Sequence, residues 1–134
     1  MTKIKFGTDG WRAIIARDYT VDNVKRVANA TAKWIKQEGG TKVVIGYDCR
    51  FGGLMFSEVT AQVMGLHGLK VYFDKNFAST PMVSLGVVRM NCFMGVVITS
   101  PSTHYTFTTS LTRLTSSDWH YTSSHNNVFK CLFE

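Results

Sequence analysis

Apolar residues between positions 21 and 35 recur every three or four residues, the spacing of one face of an α-helix. Thr20 has the side chain of a helix N-cap, and Gly39–Gly40 is a typical stop signal. The pattern therefore predicts a helix from Val21 through about Gln37. Its apolar stripe is Val21, Val24, Val27, Thr31, Trp34 and Ile35.

Four short apolar segments have the length and composition of β-strands. They are residues 3–7 (KIKFG), Lys42–Asp48, Lys70–Phe73 and residues 93–99 (FMGVVIT). Two further helices are predicted between these strands. A shorter helix begins at Thr80–Pro81, because proline is favoured in a first helical turn. The other runs from about Leu54 to Leu66, with Phe56, Val59, Val63 and Leu66 on its apolar side.

Strands that alternate with helices predict βαβ units, and so an α/β fold with a mostly parallel sheet. Ligands of such sheets bind beyond the carboxyl ends of the strands. Three loops are predicted at those ends: Tyr47–Gly53, Asp74–Thr80 and the stretch that follows Thr99.

The composition changes abruptly near Ser100. Residues 1–100 contain all eleven glycines and 20 of the 24 charged residues. Residues 101–134 contain no glycine, four charged residues and 13 serines or threonines. A boundary is therefore predicted between a domain over residues 1–100 and a Ser/Thr-rich tail over residues 101–134.

Charge and targeting signals narrow the class of protein. The formal net charge is +6, but the basic residues form no cluster or stripe, which argues against nucleic acid as the partner. The N-terminus has no apolar signal region, and no apolar run has the length of a membrane span. Three scattered cysteines indicate reduced thiols and a cytoplasmic protein, and neither cysteines nor histidines have metal-ligand spacing.

Two loops are candidates for binding phosphate. FGTDGWR (residues 6–12) combines a tight glycine backbone with Arg12, whose planar guanidinium suits a phosphate group. GYDCRFGG (residues 46–53) follows a strand and opens a helix, where backbone N–H groups and Arg50 favour an anion. Taken alone, each pattern is more typical of an ordinary turn.

In their order and spacing, four segments resemble the first domain of the α-D-phosphohexomutases, the phosphoglucomutase/phosphomannomutase family. FGTDGWR resembles the N-terminal signature F-G-T-[SD]-G-x-R, and VVIGYDCRFGG resembles the strand and G-x-D-x-R loop. ASTPMVS (residues 78–84) resembles the T-P segment, and GVVITS resembles the strand that leads to the T-A-S-H-N-P loop. The resemblance covers about residues 4–100 and implies a three-layer α/β/α domain.

The resemblance also implies a reaction. Family members move a phosphoryl group between O1 and O6 of a hexose, and the phosphorylated serine of the T-A-S-H-N-P loop is its donor. Thr8, Gly10 and Arg12 would border the phosphate, Arg12 would assist near the phosphoserine, and Arg50 would order its own loop. Mg²⁺ is the implied cofactor, although the D-G-D-x-D-R metal loop and the family's domains 2–4 do not occur in this sequence.

The chain departs from the family at the serine loop. Alignment of GVVIT places Ser100 on the family's alanine and Pro101 on the phosphoserine, and proline cannot carry phosphate. Ser100 is one residue from the required position, and Ser124 lies in TSSHNN (residues 122–127), which echoes the loop sequence. In-line transfer is weakened heavily when the donor is displaced by about 1 Å, which argues against Ser100 as a substitute. We expect the chain alone to be inactive, because one wall of the cleft without metal carboxylates stabilises the transferred phosphoryl group poorly.

Three functions remain open from the sequence. The first is an N-terminal fragment of a phosphohexomutase, and the second is a free-standing phosphate-ligand or regulatory module without catalysis. The third, a basic nucleic-acid-binding domain, is disfavoured by the scattered charges. The residues that would choose among sugars belong to a family loop that this sequence lacks.

The tail is interpreted as out-of-frame or otherwise aberrant sequence that begins near codon 100, and it is predicted to be disordered or poorly packed. Resequencing the source DNA tests this prediction. An unbroken frame that continues through codon 134 would contradict it.

Overall fold

A computed structural model of the chain describes residues 3–7, 10–99 and, in its backbone alone, 106–112. Three helices are present in these ranges: α1 (Val21–Gln37), α2 (Gly53–Leu66) and α3 (Thr80–Arg89). The strands are β1 (Phe6–Gly7), β2 (Gly10–Ile14), β3 (Lys42–Tyr47), β4 (Lys70–Phe73), β5 (Met94–Thr99) and β6 (Thr106–Thr112).

The six strands form one sheet in the order β1-β2-β6-β5-β3-β4. Strands β5, β3 and β4 are parallel, as the βαβ pattern predicted. Strand β6 is antiparallel to both β2 and β5, so β2 runs in the same direction as the parallel strands. Helices α1 and α2 pack on one face and α3 on the other. The three-layer α/β/α fold with a mostly parallel mixed sheet is confirmed.

Helix α1 begins and ends where the sequence pattern predicted. The side chain of Thr20 accepts a hydrogen bond from the N–H of Asn23 at 3.3 Å, which satisfies one free donor of the first turn. Within the predicted stripe, Val24, Val27 and Ile35 are among the most buried residues of the core. Within the described part of the chain, no helix is both long and apolar enough to cross a bilayer.

The predicted buried side of α2 was partly wrong. The helix buries Phe56, Ser57, Thr60 and Met64, whereas Leu66 is 88% exposed. The Thr60 hydroxyl donates to the carbonyl of Phe56 at 2.8 Å within the helix, so its burial leaves no unpaired donor. A stripe drawn from apolar residues alone misses small hydroxyl residues that fit a close helix contact.

Strands β2 and β6 were not predicted, and the first strand is shorter than residues 3–7, since only Phe6 and Gly7 pair with β2. Strand β6 lies inside the predicted tail, and its backbone pairs with both β2 and β5, which contradicts the predicted disorder for these seven residues. Its register pairs Phe107 with Ala13 and Leu111 with Val96. Residues 101–105 and 113–134 lie outside the described residues.

A stack of aromatic rings attaches β2 to the larger core. The rings of Trp11 and Tyr19 stack with centroids 4.6 Å apart, and Tyr19 meets Phe56 of α2 edge-on at 4.8 Å. Trp11 and Tyr19 are almost completely buried. Successive strand residues point to opposite faces, so burial of Trp11 directs its neighbour Arg12 away from this core.

Helix α3 approaches the sheet closely at Gly46 of β3. A Cβ atom at this position would lie 2.4 Å from Val83 Cγ2 and 3.0 Å from the Cβ of Ala78. Both neighbours belong to the smaller core cluster beneath α3, together with Val44 and Val97. A side chain at position 46 would therefore push α3 off the sheet.

We predict that Gly46→Ala lowers the free energy of unfolding by about 1–3 kcal/mol, because the added methyl overpacks this contact. The matched control is Gly65→Ala in α2, where a Cβ would meet nothing within 4 Å. The control should raise stability by up to about 1 kcal/mol through helix propensity. Urea denaturation followed by circular dichroism measures both, and equal effects would contradict the packing argument.

Candidate functional site

Hydrogen bonds join two predicted loops at the carboxyl edge, the edge of the sheet where β3, β4 and β5 end. The Tyr47 hydroxyl donates to the carbonyl of Lys75, and the N–H of Ala78 donates to the carbonyl of Tyr47 at 2.9 Å. The Tyr47 ring also contacts Phe73 and Phe77. The loops that follow β3 and β4 are thus held together as one surface.

Asp48 links the end of β3 to the end of β5. Its Oδ2 accepts a hydrogen bond of 2.6 Å from the Thr99 hydroxyl, and its Oδ1 accepts the backbone N–H of Arg50 at 3.2 Å. The Arg50 guanidinium lies 3.6 Å from the same Oδ2. The carboxylate is therefore engaged in holding the loop, and Arg50 is half-exposed beside it.

Arg12 lies at the same level of the sheet. Strand β6 pairs Thr108 with Arg12 on one side and with Thr99 on the other. Because neighbouring strands lie about 4.8 Å apart, the Cα atoms of Arg12 and Thr99 are separated by roughly 10 Å. Arg12 is exposed, and Gly10, at the start of β2, has a φ of 143° that favours glycine.

The structure thus brings Arg12, Arg50 and the last residue of β5 to one edge. Thr8, Ser100 and Ser124, the other predicted site residues, lie outside the described residues. The sequence analysis missed the Thr99 hydroxyl as a partner of Asp48. The available signal was the position of both residues at the ends of adjacent predicted parallel strands.

Helix starts add positive potential to this edge. Each of the three helices follows a strand that runs toward the carboxyl edge, so their N-termini lie there. Thr20 caps α1, whereas the N-cap residues of α2 and α3, Gly52 and Ser79, make no side-chain cap hydrogen bond. Uncapped N–H groups and the helix dipole favour a bound anion.

Metal chemistry is not supported by the residues described. Over residues 3–7 and 10–99, no three His, Cys, Asp or Glu side chains are grouped so that they could hold a metal ion. Asp48, the carboxylate at the carboxyl edge, is already bound to Thr99 and Arg50. Mg²⁺ prefers several oxygen ligands in octahedral geometry, so these residues do not fit it.

The two cysteines within the described residues differ in environment. Cys49 is exposed in the loop after β3, and Cys92 is buried beneath α3. Burial raises the pKa of the Cys92 thiol, and the positive charges of Lys42 and Lys70 oppose this effect. Neither cysteine contributes to the contacts made by Asp48.

Comparison with known proteins decides the family. Residues 3–102 match the model of the phosphoglucomutase/phosphomannomutase alpha/beta/alpha domain I. The chain belongs to the phosphoglucomutase/phosphomannomutase family. The match extends over the whole range from β1 through β5 and includes both phosphate-loop candidates, so the resemblance found from four short segments is confirmed.

Curated relatives in the family match with modest identity. A phosphoribomutase of Saccharomyces cerevisiae is 31% identical over 107 residues, which cover 74% of this chain and 17% of that protein. A phosphoglucosamine/phosphogalactosamine mutase of Sulfurisphaera tokodaii is 32% identical over 95 residues, or 71% of this chain and 20% of that protein. The chain therefore spans about a fifth of the length of these relatives.

Solved structures share the fold. A phosphomannomutase structure from Thermus thermophilus superposes with a TM-score of 0.84 over 99% of this chain, at 24% identity, and 30% of that chain is covered. A phosphoglucomutase/phosphomannomutase family protein from Burkholderia thailandensis gives 0.67 over 96% of this chain, at 14% identity and 30% of that chain. At these identities the likeness concerns the fold alone.

We predict that Thr99→Val destabilises the chain by about 1–2 kcal/mol, since it removes a hydrogen bond to a charged group while keeping the side-chain volume. In a double-mutant cycle with Asp48→Asn, the two effects should be non-additive by about 1 kcal/mol. Urea denaturation of the four proteins provides the measurement. Strict additivity would show that the bond contributes nothing.

Proposed function

We propose that this chain forms the first wall of the active-site cleft of a phosphohexomutase, which interconverts hexose 1-phosphate and hexose 6-phosphate through a phosphoserine. The observation that carries the proposal is the placement of Arg12 level with Thr99, the residue that precedes Ser100. In the family pattern, the segment after Thr99 presents the serine. Arg12 then stands where a phosphoryl group carried by that segment needs a cation.

In this proposal each residue of the edge has a definite task. The Arg12 guanidinium donates to the oxygens of the phosphoryl group, whose negative charge spreads during transfer. Thr8 and Gly10 complete the phosphate-binding backbone around it. Asp48 and Arg50 fix the end of β5 through Thr99, because in-line transfer tolerates little displacement of the donor. Ser100 and then Ser124 are the candidate phosphoryl carriers, but neither stands at the family's phosphoserine position, so we expect neither to hold phosphate stably.

The proposal includes inactivity of the chain by itself. Pro101 occupies the position of the phosphoserine, and the segment spans about a fifth of the curated relatives. One wall of a cleft supplies few of the preorganised charges that stabilise a phosphoryl-transfer transition state. From the family we also propose a hexose phosphate substrate, a cytoplasmic location and Mg²⁺ as cofactor, for which the described residues of this chain offer no site.

A second candidate is a module that binds a phosphorylated ligand without turning it over. It is favoured by the combination of uncapped starts of α2 and α3 with the exposed Arg12 and Arg50 at one edge. This arrangement attracts an anion but requires no nucleophile. Binding of a sugar phosphate without turnover is its expected signature.

We predict no turnover by the purified 134-residue chain in a coupled assay with glucose 1-phosphate and glucose 1,6-bisphosphate. A rate above the blank that scales with protein concentration would overturn the proposed inactivity. Labelled bisphosphate should also leave no stable phosphate on any serine. Stable label at Ser100 or Ser124, located by mass spectrometry, would instead establish that residue as a carrier.

Equilibrium binding tests the role of Arg12 separately. Arg12→Gln should weaken glucose 1-phosphate binding about tenfold, because a charge-assisted bond to phosphate is lost. The matched control is Arg89→Gln, an exposed arginine at the far end of α3. If both variants bind glucose 1-phosphate equally well, Arg12 does not contact the phosphate.

A further inference from the structure

A cleft of about 310 Å³ lies at the N-terminal border of the sheet, outside the Asp48–Thr99 contact. It is bounded by the segment before β1, by β2 and by the turn before α1. Its volume is at the lower end of the range for small-ligand sites. The lining residues include Lys3, Lys5, Arg12, Arg17, Asp18 and Asn23.

The cleft lies where the segment before β1 no longer pairs with β2. Strand β1 pairs with β2 only from Phe6↔Trp11 to Gly7↔Gly10, whereas β2 continues to Ile14. Residues 3–5 run beside that continuation without forming a strand. Ile4 is buried in the core, and it anchors the segment while its two lysine neighbours stay exposed.

The lining is strongly cationic. Among the described lining residues, Lys3, Lys5 and Arg17 contribute positive charge and Asp18 contributes negative charge, while Arg12 is the residue assigned above to the phosphoryl group. The Asp18 carboxylate accepts a 2.7 Å bond from Arg17 Nε and so neutralises mainly that residue. Among the residues described, Lys3 and Lys5 form no ion pair, so their charges are available to a ligand.

The remaining polar lining residue is held by other contacts. Asn23 donates through Nδ2 to the carbonyl of Asp18 at 2.8 Å and accepts from Arg26 Nη1 at 2.9 Å. The bond to its carbonyl holds the backbone of Asp18 beside the start of α1. The cleft is therefore bounded by a fixed turn on one side and by two lysines on the other.

We propose that this cleft binds the phosphate group of a small anion, inorganic phosphate or a phosphate monoester, at a site separate from the phosphoryl-transfer position. Arg12 belongs to β2, with the cleft on its β1 side and Thr99 roughly 10 Å away on its β6 side. Lys3 and Lys5, with the paired Arg17 across a small cleft, match a compact dianion better than a long polyanion. The site requires no turnover, so it does not depend on the mutase proposal.

Isothermal titration of the full 134-residue chain with inorganic phosphate at low ionic strength tests the site. The variant is Lys3→Gln/Lys5→Gln, and the matched control is Lys33→Gln/Lys36→Gln, which removes two exposed lysines of α1. We expect saturable millimolar binding, about fivefold to tenfold weaker in the first variant and less than about twofold weaker in the control. Glucose 6-phosphate is titrated in parallel. The ligand that binds more tightly shows whether the site prefers free phosphate or a phosphate monoester.

Equal weakening of phosphate binding in both double variants would overturn the proposal, because the loss of net charge alone would then explain the effect. Absence of saturable binding by both ligands would overturn it as well. Circular dichroism of each variant checks that the fold is retained. Loss of glucose 1-phosphate binding in Arg12→Gln with normal phosphate binding in Lys3→Gln/Lys5→Gln would support the mutase site and reject this one.

Discussion

The stacking of Trp11, a buried residue of β2, on the ring of Tyr19 is the contact on which the arrangement of the carboxyl edge depends. Tyr19 in turn meets Phe56, so one aromatic column joins β2, the turn before α1 and the first turn of α2. Because Trp11 points into the core and successive side chains of a strand alternate, Arg12 must point to the opposite face of the sheet. A one-residue slip of β2 would bury the arginine and expose the indole, at a cost that far exceeds any surface ion pair.

At the carboxyl edge, a second constraint acts on β5. Asp48 holds Thr99 by a hydrogen bond, and Thr99 is the last described residue before the serine loop of the family pattern. The strands on both sides of that loop are thus formed, while the proposed alignment places Pro101 of the loop on the phosphoserine. The proposed inactivity therefore concerns this loop and not the scaffold, so it is compatible with the family assignment.

How much the sequence alone predicts depends on how local each signal is. Helix α1, β3 and β5 follow from residues within the element, namely a capping threonine, an apolar stripe and buried runs. Strand β2 was missed because its sequence, GWRAI, overlaps a glycine turn, and its strand character comes from pairing with residues nearly a hundred positions away. Likewise, the exposure of Leu66 and the link between Asp48 and Thr99 depend on neighbours that no local pattern contains.

The central position of β6 has a consequence for the order in which the chain can assemble. Strands β3, β4 and β5 find their partners within residues 42–99, so this half of the sheet can form as soon as those residues leave the ribosome. Strand β2 pairs with β1, but it cannot join the rest of the sheet until Thr106–Thr112 has been made. The N-terminal residues that carry Arg12 are therefore the first to be synthesised and among the last to enter the sheet. A product that stopped short of Thr106 would keep a three-stranded parallel sheet, with β1 and β2 attached to the core through side-chain contacts such as those of Trp11 and not through strand pairing.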